Sequence, residues 1–405
     1  MTTSMSDPEL SALRAIIASD LPAYLADLES LVDIDCGSYT PAGVDQVGTW
    51  TGRFLEGLGA RVEHRPDPDG RFGATVVGTF EGRLGAPRVL LIGHMDTVFD
   101  PGTAAARPFR VEDGVAYGPG VTDMKSGLLA GLYALKALVG ELGGIPFERL
   151  TFIANPDEEV GSPSSGRHIR EAAPDVDACF VLECARANGD IVSARKGILD
   201  TRIAVRGRAA HAGVEPEKGR SAILEASRIV RDLHALNGRW PGVTVNVGVI
   251  RGGTRPNVVA EHCQMEVDVR SATSDGLDAA EAAIRDIAAE TGIADTSTEV
   301  EVMVGWRPME KLARSGRLVE HAQAVAGRLG FEVRDTSTGG ASDANTTSGM
   351  GVPTLDGLGP IGGNDHAPSE YLDVDSIVPR TTLLAGLLLA VARDPEILAW
   401  RVGPG

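Results

Sequence analysis

Apolar and polar positions along the first 200 residues follow helical and strand-like patterns in turn. Apolar residues recur at helical spacing over 10–32 and 47–58, which predicts two amphipathic helices. Between strand-like segments, residues 125–139 are apolar on most faces and predict a helix packed in the core. Four short apolar runs predict buried strands at 74–80, 89–92, 150–154 and 178–182. This alternation is typical of a layered α/β domain.

The pattern changes after residue 196. The order of predicted elements is then βαββαβ, the split pattern of a ferredoxin-like sandwich, with strands at 199–205, 243–250, 263–269 and 298–304 and helices at 221–236 and 277–290. The alternation of strand-like and helical segments seen in the first 200 residues resumes near residue 307 and ends in an apolar helix at 381–392. We therefore predict a first domain in two parts, 1–196 and 307–405, interrupted by an inserted α+β domain at 197–306.

Composition narrows the class of protein. The chain has 405 residues, 43% of them hydrophobic and 23% charged, which suits a globular protein of two domains. Its net charge of −18 does not favour a nucleic-acid partner, because phosphate binding depends on Lys and Arg. The chain lacks a secretory signal pattern and an apolar run of roughly 18 residues, so we expect a cytoplasmic protein with no membrane partner. Four scattered cysteines do not favour a disulfide framework or a cysteine zinc site.

The first candidate for metal chemistry lies where the run VLLIGH ends in His94. Asp96 follows two positions later, and alternation along a strand puts both side chains on the same side. A ligating histidine usually needs a carboxylate to hold its other ring nitrogen, and Asp96 suits that role. Taken alone, a histidine at the end of a strand is more often a hydrogen-bonded structural residue than a metal ligand.

A second candidate is Asp123, in the Gly-rich loop GPGVTDMKSG before the apolar helix. Glycines allow close approach of the backbone to an ion, and an aspartate there can bridge two cations about 3.5–4 Å apart. The alternative is an aspartate that caps the helix.

Acids also follow two further strands. Asp157, Glu158 and Glu159 lie in NPDEEVGS, and Glu183 ends ACFVLE. Adjacent glutamates can divide two roles, one as a metal ligand and the other as a proton acceptor, although a solvated turn is the alternative. In open α/β sheets the carboxyl ends of the strands are where active sites lie.

The last candidate is His366, in the Gly-rich segment GPIGGNDHAPSEYLD. The five candidate ligands are then two imidazoles and three carboxylates, without a thiolate. Such nitrogen and oxygen donors fit zinc, with cobalt or manganese as substitutes.

Ordered motifs along nearly the whole chain resemble a known family. They are HMDTV, GPGVTDMKSG, NPDEEVGS, VLE, RGRAAHAG, NVGVIRGGTRPNVVA, VDVR, TGGASDAN and GGNDHAPSEYLD. Together they resemble the cocatalytic di-zinc family of glutamate carboxypeptidases, aminoacylases, succinyl-diaminopimelate desuccinylases and tripeptidases, and most of all the glutamate carboxypeptidase branch. The resemblance implies a zinc-exopeptidase-like α/β/α catalytic domain with a mostly parallel sheet. It also implies that the inserted ferredoxin-like domain is a dimerisation domain, or lid.

The same resemblance implies a role for each candidate. Asp123 would bridge two zincs, with His94 and Glu183 completing one site. The second site would be completed by Glu159 and His366. Glu158 resembles the general base, Asp96 resembles the residue that orients His94, and His211 resembles a histidine that reaches the partner subunit's active site to stabilise the oxyanion.

Substrate contacts are implied as well. Asn257 resembles a residue that crosses the dimer to the substrate, and Gly339, Gly340 and Ser342 fall in a loop that lines the pocket. Arg270 and Arg307 match positions near the substrate carboxylate, which an arginine fork can bind, although an ordinary salt bridge is the alternative.

The expected function is that of a di-zinc metallohydrolase, a homodimer acting on small N-acyl or peptidyl amino acids. It would release a C-terminal amino acid such as glutamate, by attack of a zinc-bound water activated by Glu158. An N-acyl-amino-acid deacylase or dipeptidase with the same chemistry is the close alternative. Two others are a catalytically inactive binding protein and an aminopeptidase, which would need an acidic anchor for a free α-amine.

Overall fold

The computed structural model describes residues 6–400, and the chain forms helices and strands throughout that range. The helices are α1 (Asp7–Val32), α2 (Pro41–Gly57), α3 (Thr103–Ala106), α4 (Ser126–Leu142), α5 (Gly166–Ala172), α6 (Ala222–His234), α7 (Ser274–Ala289), α8 (Ala313–Leu329), α9 (Asp343–Gly349), α10 (Ile377–Ala392) and α11 (Pro395–Ala399).

The strands form two larger sheets and two smaller ones. They are β1 (Arg61–Arg65), β2 (Thr75–Glu81), β3 (Arg88–His94), β4 (Arg110–Glu112), β5 (Val115–Tyr117), β6 (Arg149–Asn155), β7 (Ala178–Val181), β8 (Ile191–Arg195), β9 (Gly197–Arg206), β10 (Thr244–Gly252), β11 (His262–Ser271), β12 (Ser297–Trp306), β13 (Asp335–Thr338), β14 (Thr354–Leu355), β15 (Gly362–Gly363) and β16 (Tyr371–Asp373).

The chain divides into two compact units, and the first comprises Met1–Ser193, Lys311–Ser337 and Ser342–Gly405. Its six-stranded sheet has the order β1-β2-β6-β3-β7-β14. Strands β6, β3, β7 and β14 run parallel to one another, whereas β2 pairs antiparallel with both β1 and β6. The predicted α/β class with a mostly parallel sheet is confirmed.

Helices α4 and α10 supply much of the core of this unit, and both are apolar on most faces because both are buried. The segment Val374–Ala392 is long and apolar enough to cross a membrane, by length and composition alone, but most of it is buried inside the protein. A core helix passes the same test, so this segment is weak support for a membrane span.

The second unit comprises Ala194–Glu310 and Thr338–Ala341. Its antiparallel sheet has the order β10-β11-β9-β12, and the buried faces of α6 and α7 share a core with it. This confirms the predicted βαββαβ arrangement. Residues 338–341 belong here because the Lys196 N–H donates to the Thr338 carbonyl and the Arg195 guanidinium donates to the Gly340 carbonyl. The boundaries at 196/197 and 306/307 stay predictions.

Candidate metal centre

Polar side chains follow three adjacent parallel strands of the first unit. Strand β3 ends at His94, and it lies between β6, which ends at Asn155, and β7, which is followed by Glu183. Because the three strands are parallel, their carboxyl ends meet at one edge of the sheet. The turn after β6 therefore brings Glu158 and Glu159 to the same edge.

The loop before α4 places Asp123 between two histidines. Gly120 in this loop has a φ of 72°, and a Cβ there would lie 2.5 Å from Cγ2 of Thr97, so the turn requires glycine. The Asp123–Met124 peptide bond that follows is cis. Oδ1 of Asp123 lies 3.1 Å from Nε2 of His94, and its Oδ2 lies 3.1 Å from Nε2 of His366.

Each histidine has a glutamate of its own beside this shared aspartate. Nε2 of His366 lies 3.1 Å from Oε2 of Glu159, and Nε2 of His94 lies 3.7 Å from Oε1 of Glu183. His366 reaches the cluster from a loop between β15 and β16, with a left-handed φ of 62°. The structure thus brings together all five residues that the sequence analysis selects as metal ligands.

Charges within the cluster are strongly perturbed. Hydrogen bonds with Asp123 and Glu159 raise the pKa of His366 to about 10. Burial opposes charge on His94, but hydrogen bonds with Asp123 and Asp96 raise its pKa well above the usual value. The carboxylates therefore favour positive charge at both imidazoles, as a cluster with an excess of acids should.

The donors fit divalent metal ions. Ligand atoms of His94, Asp123 and Glu159 lie within 4.8 Å of one another, and so do those of His94, Glu158 and Glu183. A divalent cation bound by these side chains would offset the negative charge of the same carboxylates. Mixed imidazole and carboxylate donors suit zinc, manganese or cobalt rather than calcium.

Asp96 is buried and accepts more hydrogen bonds than the sequence indicated. Its Oδ1 accepts the N–H of Glu158 at 3.1 Å, and its Oδ2 accepts the N–H of Glu159 at 3.2 Å and the hydroxyl of Ser38 at 2.6 Å. Nδ1 of His94 lies 3.0 Å from the Asp96 carbonyl and 3.4 Å from its carboxylate. Asp96 therefore contacts both the imidazole and the glutamate turn.

Glu158 is buried at the same edge of the sheet. Burial, with Glu183 and Asp343 nearby, raises its pKa well above the usual value, and His94 opposes the rise. A carboxyl group in such surroundings holds a proton more firmly than one in water, which suits a residue that accepts and returns protons.

Two buried acids beside the site, Glu370 and Asp343, were not predicted from the sequence, although both lie in motifs quoted for the resemblance. Glu370 accepts backbone N–H groups from the Asp123 loop, and Asp343 accepts the hydroxyl of Ser162 at 2.6 Å and the amide of Asn155. Burial raises the pKa of each to about 7. The local signal for each is a pair of glycines a few residues earlier, Gly339 and Gly340 before Asp343 and Gly362 and Gly363 before Glu370.

The other residues selected from the sequence belong to the second unit, except Ser342. His211 and Asn257 are exposed, and the Asn257 carbonyl accepts the N–H of Ala212. Arg270 pairs with Asp268 at 2.8 Å, and Arg307 pairs with Asp278. The salt bridges named as the alternative are thus present at both arginines, and the substrate roles stay predictions.

The loop residues selected for the substrate pocket have other contacts in the structure. The Gly340 carbonyl accepts a hydrogen bond from Arg195. Ser342 is buried, and its hydroxyl donates to Asp356 at 2.6 Å and caps α9 by accepting the N–H of Ala344. That hydroxyl has a structural partner on each side, so its role towards substrate remains a prediction.

The fold and the cluster together define a metallohydrolase class, and comparison with known proteins identifies the family. Residues 90–390 match the Peptidase family M20/M25/M40. The chain is 32% identical to carboxypeptidase G2 of Pseudomonas sp. (strain RS-16), over 96% of this chain and 94% of that protein. It is 28% identical to succinyl-diaminopimelate desuccinylase of Dechloromonas aromatica (strain RCB), over 88% and 95%.

A solved structure supports the same assignment. Aminopeptidase PepT from Bacillus cereus ATCC 10987 superposes with a TM-score of 0.75 at 26% identity, over 92% of this chain and 99% of that one. The chain belongs to the Peptidase family M20/M25/M40. It is a metallohydrolase of the kind that acts on peptides and acyl amino acids.

Proposed function

We propose that this protein is a two-zinc hydrolase that releases a carboxy-terminal amino acid, such as glutamate, from an N-acyl or peptidyl conjugate. The observation that carries the proposal is the position of Asp123, with one carboxylate oxygen 3.1 Å from each of two imidazoles. A carboxylate presented to two histidines in this way suits a ligand shared by two cations.

In this proposal His94 and Glu183 would hold one zinc, Glu159 and His366 would hold the other, and Asp123 would contribute to both sites. Bound zinc would lower the pKa of a coordinated water and polarise the scissile carbonyl. Cobalt or manganese could substitute, because the donors are nitrogen and oxygen.

Side chains of this protein would handle the proton and the substrate. Glu158 accepts a proton from the attacking water and returns it to the leaving amine. Asp96 holds the turn that carries Glu158. His211 of the partner subunit donates a hydrogen bond to the oxyanion in a cytoplasmic homodimer.

We also propose that residues of the second unit bind the substrate carboxylate. Arg307, helped by Arg270 and by Asn257 of the partner subunit, would bind it, and Gly340 and Ser342 would line the pocket. An arginine that is already in a salt bridge must give up that partner to bind the substrate. Two hydrogen bonds to the substrate carboxylate can offset the loss of the salt bridge.

Similarity to carboxypeptidase G2 over 96% of this chain supports release of a carboxy-terminal residue. Similarity to succinyl-diaminopimelate desuccinylase favours the second candidate, an N-acyl-amino-acid deacylase with the same residues. The two candidates differ in the acyl side of the bond that they accept.

The test is hydrolysis of a panel of N-acyl amino acids and dipeptides by the zinc-loaded protein, the chelated protein and two variants. Glu158→Gln should lower kcat about 10²- to 10⁴-fold, because it removes the proton acceptor without changing the shape of the side chain. The exposed Glu141→Gln serves as the matched control and should leave kcat unchanged.

Zinc-dependent release of glutamate or another carboxy-terminal residue from the larger conjugates would support the carboxypeptidase. Turnover confined to simple N-acetyl or N-succinyl amino acids would support the deacylase instead. Full activity in Glu158→Gln or in the chelated protein would contradict both candidates.

A further inference from the structure

Glu370 is a buried carboxylate, 1% exposed, and both of its oxygens accept backbone N–H groups from one loop. Oε2 accepts the N–H of Gly120 at 2.9 Å. Oε1 accepts those of Thr122 at 2.9 Å and Asp123 at 3.1 Å. Three N–H groups converging on one carboxylate form a concave anion site, and here the anion is a side chain of the protein itself.

The loop that Glu370 binds carries Asp123, whereas Glu370 itself ends the loop that carries His366. Strands β15 and β16 pair antiparallel, with Gly362 opposite Leu372 and Gly363 opposite Tyr371, so the residues between them form a hairpin loop. The Glu370 side chain therefore joins the loop that carries Asp123 to the loop that carries His366. These two residues are themselves in contact.

A second observation shows how closely the two segments approach. A Cβ at Gly362 would lie 2.0 Å from Oγ1 of Thr122, so the hairpin and the Asp123 loop pack together without room for a side chain. His366, in contrast, has a side chain that is 54% exposed, and its left-handed backbone needs support from its neighbours.

We propose that Glu370 is the positioning residue that fixes Asp123 and His366 relative to each other, so that the two metal ions can share Asp123. This inference rests on the proposed two-metal function. A carboxylate is required because all three partners are donors. In a glutamine, the amide nitrogen would face at least one N–H group, and donor would meet donor.

The test compares Glu370→Gln with Glu225→Gln in the metal-free full-length protein. Glu225 is a matched control, because it is equally buried, accepts the N–H groups of Gly292 and Ile293, and belongs to the second unit rather than to the unit that carries the metal cluster. Titration with Co²⁺, followed by its absorption spectrum, gives the affinity and the number of ions bound without any substrate.

Glu370→Gln should weaken Co²⁺ binding about 10- to 100-fold, the usual effect of losing a group that holds a metal ligand in place. Glu225→Gln should bind Co²⁺ as the wild type does, although both variants lose thermal stability. If Glu370→Gln does not fold by circular dichroism, Glu370→Asp takes its place, since its shorter side chain cannot reach all three N–H groups.

Wild-type Co²⁺ affinity in the folded Glu370 variant would overturn the positioning role and leave the proposed function intact. Weakened binding confined to the Glu370 variant would support the role even if no substrate in the panel were hydrolysed. A wild-type protein that bound no Co²⁺ would overturn both proposals.

Discussion

At the residue scale, Asp96 shows how one side chain can serve more than its predicted partner. The sequence analysis selects it to orient His94, yet its carboxylate also accepts the N–H groups of Glu158 and Glu159 and the hydroxyl of Ser38. The closest acceptor to Nδ1 of His94 is the Asp96 carbonyl, at 3.0 Å. The side chain therefore holds the glutamate turn at least as directly as it holds the imidazole.

We predict that Asp96→Asn lowers kcat about 10- to 100-fold. Each oxygen of Asp96 accepts a backbone N–H, so either orientation of an asparagine amide sets its nitrogen against a donor. Ser38→Ala removes one hydroxyl and leaves both N–H groups bonded, so its loss should stay below about 10-fold, consistent with one hydrogen bond to a charged group. Steady-state kinetics on the zinc-loaded variants would test this order, and a larger loss in Ser38→Ala would contradict it.

At the element scale, the first turn of α4 follows the Asp123 loop in sequence and packs against the end of β7. A Cβ on Gly127, in the first turn of this helix, would lie 1.8 Å from the carbonyl oxygen of Leu182, the residue before Glu183. Gly140, near the other end of α4, has no atom within 4 Å of such a Cβ. The same helix thus holds one glycine required by packing and another that packing does not require.

Alanine at these two positions should have opposite effects. Gly140→Ala should stabilise the protein by about 0.5–1 kcal/mol, because glycine is the poorer helix former. Gly127→Ala should destabilise it by about 1–3 kcal/mol, the usual cost of overpacking, and should reduce activity because Leu182 must move. Urea unfolding of both variants would measure the two signs, and equal stabilisation would show that the helix can shift away from the strand.

At the scale of the whole molecule, folding brings together acidic residues that are far apart in the sequence. The five candidate ligands come from five separate segments, and Glu158 adds another buried acid. Bringing them together costs electrostatic free energy unless positive charge arrives with them. Without metal, the raised pKa values of His94 and His366 favour positive charge on the two imidazoles.

Removing metal should therefore lower stability as well as activity. At a free zinc concentration of 100 Kd, one site contributes about 2.7 kcal/mol, so zinc should raise the Tm of the chelated protein by several degrees. Magnesium at the same concentration should raise it less, because magnesium prefers oxygen ligands and retains its waters. Differential scanning calorimetry would measure both shifts, and an unchanged Tm with zinc would contradict a metal site in this cluster.

The buried strands and core helices could be predicted because burial on all sides leaves a continuous apolar run. The predicted strands at 89–92 and 150–154 lie within β3 and β6, and the strand predicted at 178–182 ends one residue after β7. The helix predicted at 125–139 begins one residue before α4. The predicted strands and helices of the second unit also match β9 to β12, α6 and α7, because their apolar residues alternate at the period of each element.

The short exposed strands could not be predicted in this way. Strand β4 is exposed along its length, and β15 is two glycines, so neither carries an apolar signal. Strand β4 pairs with the nearby β5 and β15 pairs with the nearby β16, and the two hairpins join through β16 and β5, which are about 250 positions apart.

The sequence by itself determined the order of helices and strands and predicted five candidate metal ligands, because acids and histidines after several buried strands form a pattern that an open α/β sheet brings to one edge. Only the tertiary structure decided the order of the strands, the two-sided contacts of Asp123 and the hydrogen-bond donors that meet Glu370 and Asp343. Those features depend on which distant segments meet, because a buried carboxylate is stable only where folding brings donors to it. No local pattern around residue 370 records that its donors lie at residues 120–123.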